Sequence, residues 1–227
     1  GVKPYLLTRV INNLGRETEL RYTSSTRQYL ADRAAGRRAV TRLSFPVQVL
    51  SQVVTRDLVT GSAHTVSYAY HHGYYDREER EFRGFACVEQ TDAESFAPYA
   101  GNGIFHDGAE AVMAVAPVVT RTWTHTGAYL RRERLEARLR REYWHGDGKA
   151  AQYQQLPMTE LPAEITSPTA QRLAVRALRG HTLRAEVYAN DGSTEANDPY
   201  TVTETRYQMR VVQPSRGRHP AVVTVLP

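Results

Sequence analysis

Along most of the chain apolar and β-branched residues alternate with polar ones, the period-two pattern of strands with one packed and one wet face. Residues 6–11 and 17–22 show it first. Asn12-Asn13-Leu14-Gly15 between them supplies turn chemistry, so a hairpin is expected. Residues 47–58 and 63–71 repeat the design around Val59-Thr60-Gly61-Ser62. Further strands are expected at 81–90, 118–125, 182–188, 200–212 and 221–226, with Gly84 marking a bulge.

Three short helices interrupt the strands. Ser25-Thr26-Arg27-Gln28 has the form of a capping box, and Gly36 follows as a stop. Residues 130–143 are strongly charged, and Leu135, Leu139 and Tyr143 give them one narrow apolar stripe. Ser167-Pro168 and Gly180 bracket a third helix, with Pro168 at its first turn. Its apolar positions, Leu173, Val175, Ala177 and Leu178, form a loose stripe. Loops are expected at 100–111 and 146–151, and a turn-rich connector at 190–199. No exact internal repeat occurs, but a unit of strand, glycine-containing turn and tyrosine-ended strand recurs. The expected fold is mainly β: antiparallel hairpins in an extended sheet, with about three short helices.

Composition narrows this further. With 227 residues, 41% hydrophobic and 23% charged, the chain can bury a sizeable core and is globular. The fourteen tyrosines suit strands whose rings pack while their hydroxyls reach water. The longest apolar stretches are too short to span a bilayer as helices. No charged segment leads into an apolar one at the start, so no signal peptide is expected. Strand-like sequence at both ends reads as a section cut from something longer. Cys87 stands alone, so disulfide scaffolds are excluded, and its apolar neighbours Ala86 and Val88 suggest a buried hydrophobe. The net charge is +5, and only Lys3 and Lys149 of the 29 basic residues are lysines. The arginines are spread along the chain among acids, which points to a solvated surface rather than a nucleic-acid face.

Candidate chemistry concentrates between Tyr68 and Phe85. His71 and His72 are adjacent, so on a regular strand they face opposite ways and cannot easily share an ion. Glu79-Arg80-Glu81 has the E-x-E form of arginine-modifying ADP-ribosyltransferases, with Arg21 and Ser24-Ser25-Thr26 upstream. The Ser-Thr-Ser strand motif of those enzymes is absent, and a turn laced with Arg–Glu pairs explains the same residues. Tyr74, Tyr75 and Trp123 are the aromatic anchors of a protein- or carbohydrate-binding alternative. No nucleophile elbow, phosphate loop, dinucleotide fingerprint or calcium loop is present.

The order of several segments resembles a known family. Lys3-Pro4-Tyr5-Leu6-Leu7, Asn13-Leu14-Gly15 with Tyr22, Tyr29-Leu30-Ala31-Asp32 and Phe45-Pro46-Val47 come first. Tyr70-His71-His72-Gly73-Tyr74-Tyr75-Asp76 and Arg80-Glu81-Phe82-Arg83-Gly84-Phe85 follow, and this run is the specific part. Thr122 to Tyr129, Arg176-Ala177-Leu178-Arg179-Gly180, Glu186-Val187-Tyr188 and Pro199-Tyr200-Thr201-Val202 complete the series. Together they resemble the middle region of the B component of bacterial Tc insecticidal toxin complexes, related to SpvB-like and RHS/YD-repeat proteins. Cys87 departs from the small or aliphatic residue more usual there.

The resemblance implies a non-catalytic section of a secreted assembly. The B component and its C component would form a hollow β shell around a cytotoxic polypeptide, and a neighbouring propeller would dock on the A-component channel. Catalysis would belong to the carried toxin. No catalytic, cofactor-binding or metal residue is carried over, and neither nucleic acid nor membrane insertion is implied. Two parts are expected, 1–97 with hairpins and one helix, and 98–227 with strands and two helices.

Overall fold

The computed structural model describes residues 3–96, 116–146, 155–217 and 219–227. Eight strands form one antiparallel sheet in strict sequence order. They are β1 (Arg9–Ile11), β2 (Arg16–Ser24), β3 (Gln48–Asp57), β4 (Ser62–Asp76), β5 (Glu81–Phe96), β6 (Val118–Thr124), β7 (Thr182–Ala189) and β8 (Thr201–Glu204). A second sheet pairs β9 (Gln208–Gln213) with β10 (Val222–Leu226). Three helices accompany them: α1 (Ser25–Ala34), α2 (Arg132–Leu139), extended by a 3₁₀ turn over Arg140–Glu142, and α3 (Pro168–Ala177). No helix among the described residues is long and apolar enough to cross a membrane.

The first hairpin turns on Asn12, whose side-chain oxygen accepts from the backbone N–H of Leu14 and of Arg16, each at 2.8 Å. That is the Asx chemistry expected of the Asn-Asn-Leu-Gly segment. The cap of α1 lies one residue earlier than the capping-box pattern suggests. Ser24 accepts from Thr26 N–H, while the Ser25 hydroxyl is occupied by Val47 N–H at 2.9 Å. A hydroxyl aimed at an incoming strand cannot also close the helix, so Ser24 does so. Helix α3 starts as its sequence suggests, with Ser167 accepting from Ala170 N–H and Pro168 in the first turn.

The run 200–212 divides between the two sheets. Thr205 N–H still reaches Leu183 O, but Tyr207 turns inward and donates from its hydroxyl to Thr182 O at 2.8 Å. Its ring meets His181 edge-on. Burying that ring takes the chain off the large sheet and starts the small one. The loops expected at 100–111 and 146–151 fall, apart from Gly146, outside the described residues.

Two apolar clusters hold the layers together. In the first, Leu139 and Tyr143 of the α2 stripe pack on Ala86, Cys87 and Trp123, with Leu135 and Val40 alongside. In the second, Ala174 of α3 and Leu178 at its C-cap cover Tyr207 and Met209 beside Ile165. Two strands alone are marginal in water, and α3 supplies the missing cover.

Candidate functional site

The β4–β5 hairpin carries the residues that drew attention in the sequence. Both strands extend beyond the expected ends: β5 continues past Gln90 in regular register with Ser62–Ser67, and β4 continues past His71 through a register irregularity between Gly73 and Tyr75. Gly84 lies at this bulge with φ +94°, a left-handed backbone that favours glycine. Gly73 is required for a different reason. A Cβ there would lie 2.7 Å from Leu43 Cγ and 3.1 Å from the Phe85 ring.

At the tip, Asp76 accepts from Glu78 N–H at 3.0 Å and Glu79 N–H at 3.1 Å, which shapes the turn. Around it sits a dense ion network. The Arg83 guanidinium is fully buried. It faces Asp76 at 3.1 Å, Glu79 at 2.9 Å and Glu81 at 3.3 Å, and it donates to Gly127 O. Helix α3 supplies the outer half. Arg172 pairs with Glu78, Arg176 reaches Glu79 at 3.1 Å and Glu81 at 3.5 Å, and Arg179 reaches Glu81 at 2.7 Å. Positions 172, 176 and 179 share one helical face, so a single surface of α3 and its C-terminal turn meets the three turn acids. This is a clamp between helix and hairpin.

The remaining parts of the E-x-E arrangement are not brought to it. Arg21 lies on β2, bonded to Glu19, and its register runs through Gln52 and Ser67 to Thr91. Glu81 is ten residues along β5 from Thr91, about 33 Å at the usual strand rise. Ser24 caps α1, and the Ser25 hydroxyl is taken by the Val47 N–H. Glu79 and Glu81 therefore face arginines on a surface turn, not Arg21 and Ser25 in a cleft.

The aromatic anchors separate too. Trp123 is 1% exposed and meets Tyr143 edge-on, with ring centroids 4.9 Å apart. Tyr75 packs edge-on against Phe45, and Tyr74 lines a groove beside α2.

His71 and His72 depart from the alternation expected of neighbours on a strand. His72 adopts φ +58°, and the two buried rings come within 6.2 Å. Each has its own carboxylate. His71 Nδ1–H donates to Asp32 at 2.8 Å, and Arg37 donates to its Nε2 at 3.0 Å. Val40 N–H donates to His72 Nδ1 at 3.0 Å, so Nε2–H is the donor to Glu142 at 2.9 Å. The pair staples α1, the segment after it and the 3₁₀ turn to β4. Among the described residues, no group of three His, Cys, Asp or Glu could hold a metal ion. Cys87 is buried, and burial pushes its thiol far above the usual range, so the thiolate nucleophile is suppressed.

A second buried network lies at β7. Arg184 and Glu186 are fully enclosed and 2.5 Å apart. Tyr188 donates to Glu186, Trp144 N–H donates to it at 2.9 Å, and Arg184 donates to Trp144 O. Arg184 also lies over the Tyr143 ring at 4.8 Å. The segment after α2 is thereby fixed to the sheet. Reading the E-x-E segment as a turn laced with Arg–Glu pairs matches the inner half of the clamp, Arg83 with Glu79 and Glu81, whereas reading the other arginines as a spread of surface charge missed the α3 half and the β7 network. The spacing of 172, 176 and 179 was a usable signal; the Arg184–Glu186 pair, two residues apart on one strand face, was a weaker one.

His125 gives this region a pH dependence. It is 8% exposed, and burial lowers its pKa to about 4, with Arg132 and His181 adding to the effect. Its Nδ1 accepts from Gly127 N–H at 2.9 Å. The folded state binds its proton less readily than the unfolded state does. The associated stability is therefore complete above about pH 6.5 and is lost as pH falls toward 4, amounting to about 3 kcal/mol. His71, also lowered chiefly by burial, acts in the same direction. His125→Asn retains an acceptor for Gly127 but does not titrate there. Denaturant midpoints measured from pH 7 to 4.5 are expected to fall less steeply in the variant, and parallel slopes would refute the assignment.

Two family models match. One, the insecticide toxin TcdB middle/N-terminal region, covers residues 1–104; the other, the TcdB middle/C-terminal region, covers residues 173–227. The chain belongs to the middle region of the TcdB insecticidal toxins, the B components of Tc complexes. Solved structures agree throughout its length. The TcdB2–TccC3–Cdc42 crystal structure matches 99% of the chain at 33% identity, with a TM-score of 0.77. TcdB2–TccC3 without its hypervariable C-terminal region matches 98% at 34% identity and the same TM-score. The Tc holotoxin pore of Photorhabdus luminescens matches 98% at 32% identity, also with a TM-score of 0.77. The chain spans 10% of each of those chains. No individually curated protein matches.

Proposed function

We propose that this TcdB middle region is a non-catalytic wall section of a hollow β shell that encloses a cytotoxic polypeptide before delivery to a host cell. The observation that carries the reading is the agreement of nearly the whole chain with proteins solved together with TccC3. The internal design supports it. An open eight-stranded meander gives a continuous surface, and the ion clamp fastens a helix across it without leaving an acid free for chemistry. The proposed partners are the C component, the remaining shell segments and the enclosed toxin, with the A-component channel reached through a neighbouring propeller. The assembly is proposed to be secreted and to bind no nucleic acid. The division into 1–97 and 98–227 belongs to the same proposal; β5 and β6 pair across it, so the parts would fold as one sheet.

The test is protection of the cargo. A B component carrying this region, assembled with its C component, is expected to shield the enclosed polypeptide from added protease. Weakening the clamp by Arg83→Met is expected to expose that polypeptide to cleavage. Cargo equally protected while hydrogen exchange shows α3 released would remove the wall role. NAD hydrolysis that disappears in Glu81→Ala would establish the enzyme reading instead.

A further inference from the structure

Helix α2 carries arginines that the rest of the fold does not use. Arg131, Arg134, Arg138 and Arg141 follow one another at spacings of three, four and three, and all are exposed. Among the described residues none of them makes an ion pair or side-chain hydrogen bond. The neighbouring acids are occupied elsewhere: Glu133 by Arg132, Glu136 by Arg140 and Glu142 by His72. This contrasts with Arg83, Arg172, Arg176 and Arg179, which are bound to carboxylates.

The arrangement works against the helix at its start, although Arg138 in the last turn suits the dipole. Arg131 occupies the N-cap with φ +56° and makes no side-chain cap bond. A cation at that end opposes the helix dipole, and Arg134 and Arg138 form a like-charged i,i+4 pair. Local choices that oppose the fold in one place point to a surface selected for something else. Three of the arginines line a groove of about 250 Å³ between α2 and the Val40–Thr41 segment, with Tyr74 and Leu130 contributing apolar surface. Leu130 is 59% exposed.

We propose that this groove docks an acidic polypeptide segment of a neighbouring section of the assembled toxin complex. Ten residues of helix place Arg131 and Arg141 about 15 Å apart, which about five residues of extended chain would span. Alternating carboxylate and apolar side chains would meet both the guanidinium row and the recess beneath it. Phosphate polymers fit less well, because they offer nothing to the Tyr74 and Leu130 surfaces that line the groove. Bidentate guanidinium–carboxylate pairing gives the contact its direction.

The inference rests on the chain being a section of a multi-segment assembly, and its test keeps the two apart. A photo-crosslinking residue is placed at Ala137, which is exposed on α2, in the full B component assembled with its C component. Mass spectrometry is expected to map the crosslink to a segment with at least three Asp or Glu residues. Arg134→Glu/Arg138→Glu preserves the like-charge spacing and removes no internal contact, so it is expected to leave the melting temperature unchanged while cutting crosslink yield more than tenfold. Reversing two acids of the captured segment to Arg is expected to restore it. Assembled particles of normal size with no crosslink, a crosslink to a segment without acids, or unchanged yield in the double variant would each overturn the inference without touching the wall role. Displacement of the segment by a short DNA duplex but not by an acidic peptide would overturn it in favour of a polyanion site.

Discussion

Arg184→Met is expected to destabilise the β7 region by about 3–5 kcal/mol, the usual cost of stranding a buried charge. The guanidinium is fully enclosed and lies 2.5 Å from Glu186, itself fully enclosed. Methionine fills much of the volume but leaves the carboxylate, among the described residues, with Tyr188 and the Trp144 N–H as donors. It also removes the donor to Trp144 O, so the segment after α2 is released as well. Replacing both partners tests the cause. Arg184→Met/Glu186→Leu removes the stranded Glu186 charge, while Glu204, which loses its 3.4 Å pair with Arg184, still accepts from the Leu156 N–H; the double variant is expected to recover at least half of the loss in denaturant unfolding. If the double variant were as unstable as the single one, shape rather than charge would be the cause.

The second large effect is expected at Arg83. Arg83→Met should cost about 3 kcal/mol, toward the lower end of that range because Glu79 and Glu81 retain Arg176 and Arg179. Asp76 has no such reserve among its ion pairs; it keeps only the backbone donors of its turn. The loss should be local. Native-state hydrogen exchange is expected to show lowered protection in α3 and around the β4–β5 turn, with β2 and β3 unchanged. Arg83→Lys keeps the charge but cannot face three carboxylates and the Gly127 carbonyl at once, so only partial recovery is expected. Uniform loss of protection across the sheet would show that the clamp is part of the global core.

Both variants act on residues whose importance was hard to read beforehand. The strands were legible because alternation and turn chemistry are local. Asn12 and Gly15 make the first hairpin, Ser167 and Pro168 start α3, and Leu135, Leu139 and Tyr143 form the buried stripe of α2. The bulge at Gly84 was legible for the same reason. The partners of the charges were not. Glu79 is almost a hundred residues from Arg176, and nothing in either local segment names the other. His72 was misplaced by assuming a regular strand, since its left-handed backbone depends on the segment from Arg37 to Thr41 lying across it.

By itself, then, the sequence determined an antiparallel, tyrosine-rich β protein with three short helices and a lone buried cysteine, and its Tyr70–Phe85 run indicated the family. These follow from periodicity and turn residues, which act over a few positions. Only the tertiary structure decided where 200–212 divides into two sheets, that Glu79 and Glu81 form half of a clamp, and which arginines remain unpaired on α2. Charge pairing and ring burial are settled by what distant segments bring within a few ångströms, and no local pattern encodes that distance.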